Sequence, residues 1–375
     1  FSSRGPNPVV PDLIKPDVTA PGIQILAGYS PMGDGIPGDL FAAIAGTSMS
    51  SPQVAGIFAL LKQAHPDWSP AAAKSALMTT AHQKVRDNDR VSMADPFDMG
   101  AGHVNPGGLW DKRGSIVQPG LVYEAGLFDY AAFTCGQDWG LFTTGSCDFL
   151  ESLGVPSEAY NLNVASIGVG QLAGSQTVVR TVTSVADKGA KFRAKVEAPE
   201  GYDVTVTPNR FYLEPGESVT FEVTITNNGG GEVGEWSFGS LTWIGDGSYK
   251  VYSPIAVRGA LFSAPDAVAG TGETGSASFD VLFGYTGSYA AAPHGLAADA
   301  PKSDLIGQDP DQTYPSADDG TDGGVVWIDF PITGAAFVRW SMVIPGDDDI
   351  DLFLENSAGT IVAQSTNGGT DELIE

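Results

Sequence analysis

The stretch Gly46-Thr47-Ser48-Met49-Ser50-Ser51-Pro52 constrains this chain more than any other, because a hydroxyl-rich turn leads straight into a run that is apolar all round. Pro52 falls where a first helical turn tolerates it, since its missing N–H would have had no partner there. Val54, Ala55, Ile57, Phe58, Ala59, Leu60 and Leu61 then cover every face. A helix that is hydrophobic all round is expected to be buried. The spacing predicts a helix over 49–63 with Ser48 at its mouth. The unpaired N–H groups and positive dipole end of such a helix can hold a developing oxyanion. Serine is a weak nucleophile and needs an adjacent base. The plain alternative is a capping serine, Ser48 or Ser50, with no chemistry attached.

The neighbouring segments weigh against that alternative. Gly46 to Pro52 followed by Val54-Ala55-Gly56 closely resembles the serine block of the subtilisin-like proteases, the subtilases. Phe1-Ser2-Ser3-Arg4-Gly5-Pro6 and Lys15-Pro16-Asp17-Val18-Thr19-Ala20-Pro21-Gly22 resemble the segments before that block. His65-Pro66-Asp67-Trp68-Ser69-Pro70 and Ser75-Ala76-Leu77-Met78-Thr79-Thr80-Ala81 resemble those after it. The resemblance is collinear over residues 1 to about 125. The α/β-hydrolase elbow, G-x-S-x-G, is a poorer fit because Ser50 stands in its last position.

The resemblance implies a serine endopeptidase acting through an acyl-enzyme on Ser48, with protein or peptide substrates, a propeptide as a candidate partner, and a secreted location. It requires no cofactor. In subtilases the triad runs Asp, His, Ser along the chain. His65, His82, His103 and His294 all follow Ser48. His65 and His103 stand in segments that are structural in the family, and His82 lies just past a predicted second helix. The catalytic Asp, the catalytic His and the oxyanion Asn are therefore expected upstream of Phe1. Ser48 alone carries over, through its side chain and its own N–H, with Thr47 and Met49 as supporting neighbours. The chain begins inside a mid-domain motif and reads as part of a larger protein, so an incomplete protease core is expected to be exposed.

The 375 residues suggest two or three domains. A net charge of −26 repels nucleic acid and anionic membranes. No apolar run approaches the length of a membrane span. The only cysteines, Cys135 and Cys147, are close in sequence. In a secreted protein they are expected to form a disulfide, two free buried thiols being the alternative. A zinc site normally needs four ligands.

Ser69, Pro70 and Ala71-Ala72-Ala73 give a clear start for a second helix that ends near Thr80. Residues 40–45 suggest a short strand, and the polar segment 83–99 a surface loop. From about 160 the period changes. Asn163–Val169, Gln176–Val185, Lys191–Glu197, Tyr202–Thr207, Ser218–Thr226, Glu235–Trp243 and Tyr249–Val257 are seven strand candidates, with turn residues between them. Seven short strands in this span predict an independent antiparallel sandwich, and their order resembles the fibronectin-III-like domain of multidomain subtilases.

The expected fold class is multidomain: a partial α/β subtilisin-like domain followed by all-β sandwich domains. The expected division is 1–130 protease, 131–159 connecting segment with the cysteine pair, 160–259 fibronectin-III-like sandwich, and 260–375 linker plus a second sandwich. In that last part, strands are expected at Ala277–Phe283, Val325–Phe330, Ala336–Val343, Ile350–Glu355 and Thr360–Ala363. The run from Gly346 to Leu354 resembles the bacterial pre-peptidase C-terminal domain. Its carboxylates, Asp347, Asp349 and Asp351 with Asp348 beside them, could ligate a structural Ca²⁺; an acidic turn is the alternative. Residues 318–323 hold a similar cluster. The second function class is a non-catalytic secreted sandwich array that binds a substrate or surface, with the protease portion as scaffold.

Overall fold

The structure is a computed structural model and describes residues 2–30, 40–106, 112–137, 139–265, 268, 276–285, 287–292, 302–307, 324–330, 338–344, 348–366 and 371–374. It divides into two units, Phe1–Tyr289 and Ala290–Glu375.

The first unit opens with β1 (Ile25–Gly28) and β2 (Phe41–Ile44), an antiparallel pair. β2 leads through Gly46 into α1 (Thr47–Ala64), two residues longer at its start than the pattern predicts. α2 (Pro70–Thr79) forms as expected: the Ser69 hydroxyl accepts the Ala72 N–H at 3.0 Å, and Pro70 takes the first helical position. α2 is buried from Ala72 to Thr79 apart from Lys74. Over 83–93 the expected surface loop is present, each residue exposed or half-buried, but α3 (Pro96–Met99) corrects the end of that expectation. Asp95 caps it, with Asp98 returning the bond to the Asp95 N–H, and Pro96, Phe97 and Met99 are buried. The polar side chains there cap a buried turn.

α1 departs from its expected burial. Only Ile57 and Leu61 are buried, in a cluster with Ala73, Ala76, Leu77, Val104, Ile116 and Val117. Ala55 and Ala59 are exposed and Leu60 is 50% exposed. Among the described residues α1 has cover on one side only, so the pattern reports a demand for burial that these neighbours do not meet. Leu26, 71% exposed, and Phe41, 64% exposed, show the same condition in the hairpin before it.

β3 (Leu121–Tyr123) is fully buried and is followed by α4 (Leu127–Gly136) and α5 (Thr144–Ser152). Cys135 in α4 and Cys147 in α5 form the expected disulfide, with Cα atoms 5.7 Å apart. α5 buries only Leu150, so the bond rather than a core joins the two helices. Cys135→Ser with Cys147→Ser is expected to loosen this hairpin by up to about 3 kcal/mol, the loop-closure scale for so short a ring. Hydrogen exchange should then rise across 127–153 while the strands Ser218–Asn227 and Lys250–Gly259 keep their protection.

The sandwich comprises β4 (Ile167–Leu172), β5 (Ser175–Ser184), β6 (Ala190–Glu197), β7 (Tyr202–Thr207), β8 (Arg210–Leu213), β9 (Ser218–Asn227), β10 (Trp236–Gly245) and β11 (Lys250–Gly259). One sheet has the order β4-β11-β10-β6-β8 and the other β3-β5-β9-β7. Alternation places Phe221, Val223 and Ile225 of β9 inward and Thr220, Glu222 and Thr224 outward. Trp243, Phe192, Phe221 and Val251 fill the space between the sheets.

Three features differ from the pattern reading. β8 is an added strand of four residues, too short between Pro208 and Pro215 to show a period. β4 pairs with β11 in parallel, not antiparallel, and it starts at Ile167 rather than at 163. The sandwich is not independent, because β3 of the N-terminal region forms the edge of its second sheet. That region also packs on the other sheet: Phe97 meets Trp236 and Phe238 edge-on, and the Gly170 N–H donates to Asp12 at 2.6 Å. A side chain at Gly168 would lie 2.2 Å from the Asp12 carbonyl oxygen, so a glycine is required at this crossing.

β12 (Phe262–Ser263) and β13 (Leu282–Phe283) make a short pair that closes the first unit. The second unit shows β14 (Trp340–Val343), β15 (Leu352–Glu355), β16 (Ile361–Ser365) and β17 (Asp371–Ile374). β14 pairs with β17, and β15 with β16. Val325–Phe330 is not in a strand, contrary to expectation. Among the described residues no helix is long and apolar enough to cross a membrane.

Candidate active site at the start of the first helix

Ser48 is the second residue of α1 and is exposed. Its hydroxyl makes no hydrogen bond among the described residues, whereas the Ser50 hydroxyl two positions on donates to the Ala20 carbonyl at 2.9 Å. Gly46, in the N-cap position, offers no side chain to satisfy the first-turn N–H groups, and no acid lies in the first turn. No carboxylate of the first turn therefore neutralises the positive end of the helix where Ser48 sits. The segment before it is held by the Gly46 N–H, which donates to the Gly22 carbonyl at 2.8 Å. The Met49 N–H donates back to the Gly46 carbonyl at 3.0 Å, and a hydroxyl set beside the N–H groups of a helix start can serve as a nucleophile with part of an oxyanion site.

Residues 1–102 match the subtilase family, and residues 161–257 match the fibronectin type-III domain. Residues 1–102 are a subtilase region. Subtilisin-like protease SBT3.2 of Arabidopsis thaliana is 40% identical over 271 residues, covering 69% of this chain and 35% of that protein. The CO(2)-response secreted protease of the same plant is 35% identical over 278 residues, covering 68% and 35%. Subtilisin-like protease Glyma18g48580 of Glycine max is 38% identical over 275 residues, covering 69% and 34%. The chain spans about a third of the length of these curated relatives.

Within the subtilase region none of the described histidines hydrogen-bonds Ser48. The His65 ring stacks on Trp68 with centroids 3.9 Å apart, and its Nε2 lies 2.8 Å from the Val117 carbonyl oxygen. It lines a recess of about 330 Å³ with Phe58, Leu61, Lys62, Trp68 and Ala73, and Ser48 is not part of that recess. His103 Nδ1 lies 3.2 Å from the Thr19 hydroxyl. Burial first, and the neighbouring His82 second, push the His103 pKa down. His82 and His103 exchange backbone hydrogen bonds in a β-bridge. His294 lies outside the described residues.

Of the carboxylates named for calcium, Asp347 lies outside the described residues, as do residues 318–323. Burial, then the charges of Asp349 and Glu372, push the Asp351 carboxyl up. Among the described residues no three His, Cys, Asp or Glu side chains are placed to hold a metal ion, and Ca²⁺ takes six to eight oxygens.

The polar residue that sequence reading missed is Arg180. It stands in β5 between inward-facing Val178 and Val182 and is only 2% exposed. Its guanidinium donates to the carbonyl oxygens of Val164 (3.0 Å), Tyr160 (2.7 Å), Val179 (2.8 Å) and Ser166 (2.9 Å). Burial pushes its pKa down to about 10, so it enters the core charged at neutral pH. The available signal was its place in the inward row of an alternating strand.

Proposed function

We propose that this chain supplies the nucleophile of a secreted serine endopeptidase. Ser48 attacks the carbonyl carbon of a peptide bond, its proton passing to a histidine base and then to the leaving amine. Water hydrolyses the resulting acyl-enzyme and regenerates the hydroxyl. The Ser48 N–H is one oxyanion donor, and an asparagine is the other. That asparagine, the base and its orienting aspartate belong to sequence upstream of Phe1. The order of the triad in subtilases and the greater length of the relatives support this placement. On this reading residues 1–375 alone hydrolyse peptides hardly at all. The substrates are proteins or peptides, and a propeptide is the candidate regulator.

The observation that carries the reading is an exposed Ser48, its hydroxyl without a hydrogen bond among the described residues, in the first turn of α1, which carries no acid, inside the span that matches the subtilase family. The test is treatment of the full-length protein with a serine-directed phosphonylating reagent, followed by peptide mapping. Label on Ser48, with activity lost in proportion to labelling, is the expected result. Activity that survives while Ser48 stays unlabelled would overturn it and favour the non-catalytic array.

A further inference from the structure

Ser48 occupies a helix start that has little apolar anchorage of its own. The buried side chains of α1 are Ile57 and Leu61, more than two turns further along. The first turn is instead bracketed by two hydrogen bonds, the Gly46 N–H to Gly22 and the Ser50 hydroxyl to Ala20. These lie two residues before and two residues after Ser48.

The acceptor segment is rigidly placed. Thr19 bridges His103 in parallel, and His82 bridges His103 on its other side. The Thr19 N–H donates to Gly102 at 2.9 Å and the Val104 N–H to Thr19 at 2.8 Å. His82 and His103 exchange bonds of 2.8 and 2.9 Å. Val18 and Ala20 pack against the cluster that contains Ile57 and Val104. Gly22 closes the fit: a Cβ there would lie 2.2 Å from the Ser50 hydroxyl oxygen and 2.8 Å from the Gly46 carbonyl oxygen. The helix start therefore meets this ladder at backbone distance, and Ser50 supplies the only side-chain hydrogen bond that ties the first turn to it among the described residues.

We propose that Ser50 is a positioning residue for the Ser48 nucleophile, fixing the first turn of α1 on the 19–103–82 ladder through the Ala20 carbonyl. This rests on the proposed role of Ser48. Removing the Ser50 hydroxyl leaves α1 attached through its later turns and the Gly46 N–H still bonded to Gly22, but releases the second of the two ties on the turn that carries Ser48. A displacement of about 1 Å at a reacting group can cost about 10²-fold in rate.

The experiment uses the full-length protein and compares Ser50→Ala, Ser50→Thr and Ser48→Ala. In Ser50→Ala, kcat should fall about 10- to 100-fold with KM within about threefold, the range that misplacement of a reacting group implies. The rate of phosphonylation at Ser48 should fall in parallel. Ser50→Thr keeps a donor at the same place and should recover most of the rate. The inference is overturned if Ser50→Ala keeps its kcat, if only KM changes, or if the loss follows a fall in Tm that Ser50→Thr does not reverse. Ser48→Ala separates the two readings. If it is inactive while Ser50→Ala is fully active, the positioning role alone fails. If Ser48→Ala is itself active, the nucleophile assignment and this inference fail together.

Discussion

Ser48→Ala in the full-length protein should lower peptide hydrolysis by about 10⁶-fold, the scale already measured when the nucleophile of such a site is removed. Stability should hardly change. The side chain is exposed and its hydroxyl has no partner among the described residues, so no hydrogen bond is broken and no cavity opens. Alanine is also the best helix former, and the substitution lies within the first turn. The paired measurement is kcat/KM on a peptide substrate and Tm by calorimetry. A collapse in rate at constant Tm supports a nucleophile. An equal loss in both would mean that Ser48 is structural.

Arg180→Ala should have the opposite profile, a large loss of stability remote from Ser48. The guanidinium satisfies the carbonyls of Tyr160, Val164 and Ser166, which belong to the chain entering β4, as well as that of Val179 in its own strand. Truncation leaves those acceptors without their donor and opens a cavity between the sheets. Unsatisfied buried polar groups cost about 1–3 kcal/mol each, and water entering the cavity offsets part of that. A net destabilisation of about 4 kcal/mol is expected, a fall in Tm of roughly 10 °C for a unit of this size. Arg180→Lys should recover only part of it, because one ammonium cannot reproduce the fork that reaches several carbonyls at once. Chemical denaturation followed by tryptophan fluorescence is a suitable readout, since Trp243 lies in the same core. A loss below about 1 kcal/mol would show that water replaces the guanidinium at little cost.

These two residues mark what the sequence made legible. The position of Ser48 at a helix start is legible because its signal is local: a hydroxyl, the apolar run that follows and a set of neighbours in fixed order. The strands of the sandwich were visible for a similar reason, since alternation such as Val219-Phe221-Val223-Ile225 is written into a few consecutive residues. Arg180 was not, because a charge in an inward row has meaning only once the carbonyls that receive it are known, and these come from a segment some fifteen residues earlier. β8 was hidden by its brevity. The parallel pairing of β4 was hidden because a strand's direction relative to a distant partner leaves no periodic trace. The exposure of α1 shows the converse limit: an apolar pattern states what a segment needs, not whether its neighbours supply it.

The three residues of β3 bear on how such a protein can be assembled and taken apart. Leu121, Val122 and Tyr123 pair with Ser184, Thr183 and Val182 at the margin of the fibronectin-type sheet. The Tyr123 N–H also donates to the Ser75 hydroxyl of α2, and its own hydroxyl reaches Ser253 of β11. One short strand is thus shared property of two modules. A fibronectin piece excised at residue 160 would carry β5 as an open edge, the kind of surface that recruits other chains. During synthesis the strand emerges well before its partners, so its backbone groups have no sheet to join until β5 has been made. A recombination point between residues 123 and 160 of this chain would likewise separate the edge strand from the sheet it completes.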